Sequence, residues 1–345
     1  MSTRSLFRTM ARRVLPRSGS TAGFTLIELM VAMLLGLIVI AGVVSVFLAN
    51  QRSYRTNQAL GDVQDGSRIA FEMLARDIRD AGATGCDNSG RVANVLNNGA
   101  TDWWANWGNA LRGYGGSETD PAVATGTSAG TRVSGTDSLT LIGGGATGLS
   151  VASHNPTSAQ FKLNQTSSDL QSGDVVLVCD PNHASLMQIT NYNNSNVTLV
   201  HNTGTGTPGN CSKGLGFPTD CSSVNGNGYE FGPNSQLFKL SAVDWFIGNN
   251  PPGGRSLYRM NVSTVGGVPT AQAQEMVRDV TAMGITYHQA GSAAFVAPTA
   301  VTNWAVVDAV RVTLTLQSVD KRAGTDVQPI QRTFTATTTV RNRVK

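Results

Sequence analysis

An apolar run with one carboxylate near its start constrains this chain most. From Phe24 to Ala49 the sequence FTLIELMVAMLLGLIVIAGVVSVFLA carries a single charged residue, Glu28. Leu29–Ala49 alone gives 21 residues without a charge, and a helix needs roughly 20 residues, at about 1.5 Å each, to cross a bilayer. A removable secretory signal would have an apolar core of about 7–15 residues followed by a small-x-small site. This run is longer and Phe47-Leu48-Ala49 is a poor site, so the run is expected to persist as a membrane helix. A carboxylate at membrane depth is costly and usually has a partner, yet no Lys or Arg lies between Phe24 and Gln51.

Upstream stands a basic leader, Met1–Gly23, with five arginines (Arg4, Arg8, Arg12, Arg13, Arg17) and no acid. Removing these five from the 26 Lys+Arg of the chain leaves 21 against 22 Asp+Glu, so the basic balance belongs to the leader. Bulk charge therefore gives no argument for nucleic-acid binding. Arginines ahead of a span stay in the cytoplasm, which puts everything beyond residue 49 on the exported side. If the chain were cut after Gly23, Phe24 would become a cationic N-terminus. Its amine could pair with Glu28 of its own helix, one turn away, or with Glu28 of a neighbour.

Gly23, Phe24, Thr25, Leu26, Ile27 and Glu28, followed by the apolar run, resemble the class III signal of type IV pilins and type II secretion pseudopilins. The resemblance implies cleavage between Gly23 and Phe24 by an inner-membrane prepilin peptidase, which also N-methylates Phe24. It implies too that the helix is an assembly handle whose Glu28 faces a neighbouring amine in a filament core. The plain alternative is an ordinary bitopic anchor with a stray acid. Major pilins usually carry a proline partway along this helix. Here no proline occurs between Arg17 and Asp120, and Gly36 and Gly42 are either interruptions or close-packing positions.

Beyond the span, Leu60, Val63, Ser67, Ala70, Leu74 and Ile78 recur at three- and four-residue spacings and make one narrow helix face. Asp62, Asp65, Arg68, Glu72, Arg76 and Asp80 fill the rest, with Glu72 and Arg76 placed for an i,i+4 pair. AGATGC (81–86) ends the helix with two glycines. The remainder turns rich in Gly, Asn, Ser and Thr, and reads as strands at 137–142, 174–179, 186–190, 196–201, 236–248 and 255–260. Val310, Val312, Leu314 and Leu316 alternate with polar residues as a half-buried strand, and 332–343 alternates likewise as its neighbour. Gly/Asn-rich stretches read as loops between strands. The fold class expected is α+β: a long N-terminal helix, transmembrane then amphipathic, on a β-rich, loop-rich head. The domains are a cleaved leader 1–23, a transmembrane or filament-core helix 24–49, its amphipathic continuation 50–82, and a periplasmic head 83–345.

The order GDVVLVCD, LMQITN, GRSLYRM, AVRVTLTLQS and FTATTTVRNR resembles the PilW type of minor pilin, whose relative in type II secretion is pseudopilin J. Cys86, Cys179, Cys211 and Cys221 all fall on the exported side, where an even count favours two disulfides, and four cysteines permit three pairings. Cys211–Cys221 would close a short loop, and Cys86–Cys179 would then tie the helix end to the sheet. No C-x-x-C exists and no histidine stands at ligand spacing with a cysteine, so no metal is expected.

Three further patterns are decoys. GTSAG (126–130) lacks the strand and helix of a nucleophile elbow. GTGTPG (204–209) runs into no helix that could hold a pyrophosphate. GGGATG (143–148) lacks the Lys-Ser/Thr of a phosphate loop. Trp103, Trp104 and Trp107 are either core under a long loop or a partner contact. No catalytic residues and no cofactor are expected.

The resemblance implies a subunit that acts by assembly: a minor pilin priming a type IV pilus, with twitching motility and adhesion downstream. Its partners would be the prepilin peptidase/N-methyltransferase, other minor pilins, the major pilin, a tip adhesin and the inner membrane. Its location would be the bacterial inner membrane and then the pilus tip. A type II secretion pseudopilin, a tip-exposed module for surfaces or DNA, and an anchored periplasmic enzyme are the alternatives.

Overall fold

The strongest local signal in the sequence becomes one helix, α1, over Leu26–Asp80, 55 residues long. The computed structural model describes residues 23–86 and 91–343, so the basic leader before Gly23 lies outside the described residues. The chain divides after Tyr54 into two units. In the first, the apolar side chains of the helix are open along its length, from 77% exposed at Leu26 to 45% at Leu48.

In the second unit α1 buries Ala59, Val63, Ser67, Ala70, Leu74 and Ile78. Ala59 thus takes the place expected for Leu60. The reason is local: Ala59 packs against Ala323 and Ile330, and Thr56 Oγ1 donates to the Ala323 carbonyl at 2.6 Å, holding the chain close. Glu72 pairs with Arg68 at 3.0 Å rather than with Arg76. Glu72 is four residues from both, and the pair is too exposed to matter much to stability.

Fifteen strands are found among the described residues. They begin with β1 (Val92–Asn94), β2 (Leu111–Tyr114), β3 (Ser138–Asn155), β4 (Gln160–Leu163) and β5 (Val175–Cys179). Next come β6 (Ala184–Gln188), β7 (Asn191–Asn193), β8 (Thr198–Val200), β9 (Gln236–Asn249) and β10 (Arg255–Val265). Last are β11 (Val268–Arg278), β12 (Val280–Gln289), β13 (Phe295–Val296), β14 (Val307–Gln317) and β15 (Gln331–Thr339). The fold is α+β. A large sheet runs β1-β6-β5-β9-β3-β4-β8-β7, with β10 on β9, β11 on β10 and β2 on β3; a second sheet runs β13-β12-β14-β15. Strands β11 and β12 were not legible. VPTAQAQEMVR is rich in Ala and Gln, and VTAMGITYHQ carries a mid-strand glycine, so pairing with β10 and β14 decides them rather than propensity.

The main core joins both sheets to the helix. Val63, Ala70, Leu74 and Ile78 meet Leu139, Leu141, Trp245 and Ile247 of the large sheet and Ile285, Val312 and Leu314 of the small one. Full burial of a side chain such as Leu74 contributes about 1.5–3 kcal/mol. Gly82, at φ +71°, stops the helix in a conformation that favours glycine. Its N–H donates to the Ile142 carbonyl at 2.7 Å, and Gly144 N–H to the Ala83 carbonyl at 2.8 Å. The glycines of GGGATG are therefore strand, not loop. A Cβ on Gly143 would stand 2.4 Å from the Asp80 carbonyl oxygen, so only glycine lets the helix end lie against β3.

Polar bonds fix the orientation of that end. Asp77 Oδ2 accepts from Trp245 Nε1 at 2.9 Å and from Arg259 Nε at 2.8 Å. The closing segment satisfies helix carbonyls: Arg341 N–H donates to Arg79 O at 3.4 Å and Asn342 Nδ2 to Ala81 O at 3.3 Å. Arg343 Nη1 donates to the carbonyls of Trp304 and Val307 at 2.5 and 3.2 Å. This gives the VRNR segment a physical role as a clasp.

A second core under β3, β4, β5, β6 and β8 contains a histidine pair. Phe231 N–H donates to His154 Nδ1 at 3.2 Å, so the His154 proton is on Nε2 and points to His201 Nε2, 3.2 Å away. Burial holds His154 down at about 4. Burial and the neighbouring His154 hold His201 at about 3.

Two outcomes follow from these contacts. Asp77→Ala leaves Trp245 Nε1 and the Arg259 guanidinium without their acceptor, and should cost about 1–3 kcal/mol in urea unfolding followed by tryptophan fluorescence. The histidine pair makes the head acid-sensitive, because the unfolded chain binds protons that the folded one refuses. Its contribution is complete above about pH 6.5 and is lost as pH falls toward 4 and 3. His201→Gln should flatten that acid limb; an unchanged limb would remove the pair as its source.

Candidate processing and assembly site

The segment around Gly23 is built as a helix start. Thr25 is the residue before α1, and its hydroxyl accepts from Glu28 N–H at 3.3 Å. Glu28 reaches back, its Oε2 accepting from Thr25 N–H at 3.0 Å and from Thr25 Oγ1 at 2.9 Å. Leu29 N–H closes the first turn on the Thr25 carbonyl at 3.2 Å. This is a reciprocal capping box, which satisfies donors that a helix N-terminus would otherwise leave unpaired. The T-x-x-E pattern of such a box stands in the sequence as TLIE. Thr25 thus has a capping role that its place in the signal motif did not by itself reveal.

Both Thr25 donors fall on Oε2, which leaves Glu28 Oε1 for another donor. Phe24 stands 89% exposed immediately before the cap. A Cβ on Gly23 would meet nothing within 4 Å, so no contact of the fold among the described residues demands glycine there. Gly36 and Gly42 have equally open surroundings. The helix is long and apolar enough to cross a membrane, and none of its apolar window is buried by the chain itself.

Residues 19–44 match the prokaryotic N-terminal methylation motif. The match spans the Gly23–Phe24 junction, the capping box and most of the apolar run. It supports a type IV pilin-like or pseudopilin protein, anchored in a membrane by its N-terminal helix. Such a signal implies processing by prepilin peptidase and assembly with other pilins. No curated protein and no solved structure matches the chain.

The other candidate residues lie in the head. The structure joins Cys86 to Cys179, 93 residues apart, and Cys211 to Cys221, 10 apart. The first bond ties the segment after α1 to β5. In the chain-entropy view the shorter loop is worth on the order of 3 kcal/mol and the longer one somewhat more. Trp104 is 8% exposed and packs with Ala105, Ala110, Leu177 and Leu186, while Trp103 and Trp107 lie half-buried against the same cluster. GTSAG and GTGTPG are turns and loop.

Thr25→Val removes the hydroxyl that caps Glu28 N–H. In detergent micelles, hydrogen exchange at the Glu28 amide should accelerate while amides past residue 33 stay unchanged.

Proposed function

We propose that this chain is a minor pilin of the type IV pilus, of the PilW type, which acts by assembly rather than by catalysis. The peptidase cuts between Gly23 and Phe24 and methylates the new amine. The helix from 24 to 49 waits in the inner membrane, with 50–82 as its continuation and 83–345 as a periplasmic head. Movement into a helical bundle brings Glu28 to a neighbouring subunit's Phe24 amine in low dielectric, where pairing stabilises one register over others. Other minor pilins and the major pilin then add to the primed tip, from which twitching motility and adhesion follow.

The observation that carries this reading is the capped start of α1 beside Gly23. The glycine answers no packing demand, the acid keeps a free oxygen, and the apolar first half of the helix is left uncovered by the described residues. An apolar surface of that length needs lipid or other helices to cover it. The PilW assignment rests on the order of head blocks, of which VRNR forms the clasp on the helix end.

Intact mass of the protein from membranes, with and without prepilin peptidase, tests the first step. The expected product begins at Phe24 and is heavier by one methyl group; a chain that keeps Met1–Gly23 beside active peptidase overturns the reading. Glu28→Ala should be cleaved yet poorly incorporated into filaments. A deletion strain should lose pili while type II secretion continues, and the reverse would make the chain a pseudopilin.

A further inference from the structure

Between β2 and β3 the loop 115–137 folds over the end of both sheets. It adds Val133 N–H to the Ile247 carbonyl of β9 at 2.8 Å and Asp137 N–H to the Met283 carbonyl of β12 at 3.0 Å. Inside it lie three charged side chains with almost no exposure: Asp120 at 4%, Arg132 at 1% and, on β9, Asp244 at 0%. Asp120 Oδ1 accepts from Ala122 N–H at 2.8 Å, and its Oδ2 accepts from Ser138 Oγ. Thr140, the cross-strand neighbour of Asp244, donates its hydroxyl to Asp244 Oδ1 at 2.9 Å. Asp244 Oδ2 has no donor among the described residues.

Arg132 gives its guanidinium to backbone carbonyls rather than to either acid. Nη2 donates to Gly115 at 2.8 Å and Thr136 at 2.5 Å, Nη1 to Glu118 at 3.0 Å, and Nε to Thr136 at 3.0 Å. Its charge therefore acts at a distance on two carboxyls gathered on one face of β3, Asp120 on the Ser138 hydroxyl and Asp244 on that of Thr140, two residues along the strand. Two buried carboxylates beside one guanidinium leave one negative charge uncompensated, and like charges this close cannot both ionise cheaply. A single proton on the orphan oxygen balances the charge and supplies the missing donor. A divalent cation would leave excess positive charge beside Arg132, and no metal-binding group of three such ligands exists among the described residues.

We propose that Asp120 and Asp244 share one proton, placed on Asp244 Oδ2 and donated to Asp120, and that this proton locks the 115–137 loop onto β3 and β9. The loop is held while the proton is in place and loosens when it is lost at alkaline pH. Burial first, and the charge of Asp120 second, push Asp244 well above the usual carboxylate range. Burial raises Asp120 too, against its bonds from Ser138 and Ala122. The other titratable or charged groups facing the pair are Arg112 and Tyr114 on β2, Glu118, Arg132 and Asp137 on the loop, and Tyr287 on β12. With the folded state holding the extra proton, stability falls as pH rises above the unfolded carboxyl range and continues to fall until the folded pair ionises. This is opposite in sign to the histidine pair.

Urea unfolding of the full-length protein in detergent with EDTA, from pH 5 to 10, tests the lock. Asp244→Asn replaces the proton with an amide N–H that donates to Asp120 at every pH. The wild-type unfolding constant should rise relative to the variant's by up to about tenfold per pH unit while the folded pair keeps the proton that the unfolded chain has lost, and level off once the folded pair ionises; a ratio constant across the range overturns the proposal. Stabilisation of the wild type by added Ca²⁺, abolished by Asp244→Asn, would assign the pocket to a cation and overturn it as well. Should Asp244→Asn fail to fold, infrared spectra of the wild type still decide. A protonated carboxylic acid band at neutral pH, fading as the loop loosens, is expected, and its absence overturns the shared proton.

Discussion

The helix start and the helix end answer to different solvents, and that division governs the rest of the protein. From Phe24 to Leu48 every large apolar side chain is open, so this part contributes nothing to the head's own stability. The head must be held by what α1 offers after residue 55, a stripe from Ala59 to Ile78 in which Ala59, Ser67 and Ala70 are small. Small residues give close approach but little apolar area, so packing alone would define the axial position of the helix poorly. The backbone bonds from Gly82 and Gly144, the Asp77 bonds to Trp245 and Arg259, and the VRNR clasp supply the definition. Any load carried by the membrane end of such a helix reaches the head through these contacts and through the Cys86–Cys179 bond just beyond them.

The features that were legible share a property: each is written in a contiguous pattern. The apolar length of α1 and the period-two strands β14 and β15 need no knowledge of distant residues. Conversely, β11 and β12 exist because β10 and β14 present edges to them. Gly143–Gly145 belong to the Gly-rich sequence that reads as loop because glycine weakens strands, yet they lie in β3, where a Cβ on Gly143 would meet the Asp80 carbonyl. Four cysteines in sequence allow three pairings, and only the approach of Cys86 to β5 distinguishes them. At the helix start the local signal is the T-x-x-E of TLIE, whose acid has both a capping partner one turn back and a place at membrane depth.

Two buried polar clusters set opposite limits on the head. The histidine pair resists protonation, and the Asp120–Asp244 pair resists deprotonation. Both lie away from the helix contact, one in the core under β4 and β8, the other beneath the loop that joins the two sheets. A head with low net charge and long polar loops gains conformational definition from such groups, since each has a geometry that only one packing satisfies. The cost is that stability peaks in a window rather than rising steadily to either side.

The capping box bears on how Glu28 could serve assembly. A carboxylate that lost its cap on meeting another subunit's amine would unravel the turn that positions it, and the two roles would compete. The geometry avoids this. Thr25 donates twice to Oε2, on the side facing its own backbone, and Oε1 remains on the same rigid group. An incoming amine would therefore meet an acid already fixed in direction, with less side-chain entropy left to lose on pairing. The proposed cleavage at Gly23–Phe24 would leave Thr25 and its N–H in place, so the cap would survive it. On the proposed reading, Thr25 orients Glu28 before assembly, and the order Phe-Thr-x-x-Glu places amine, cap and acid within one helical turn.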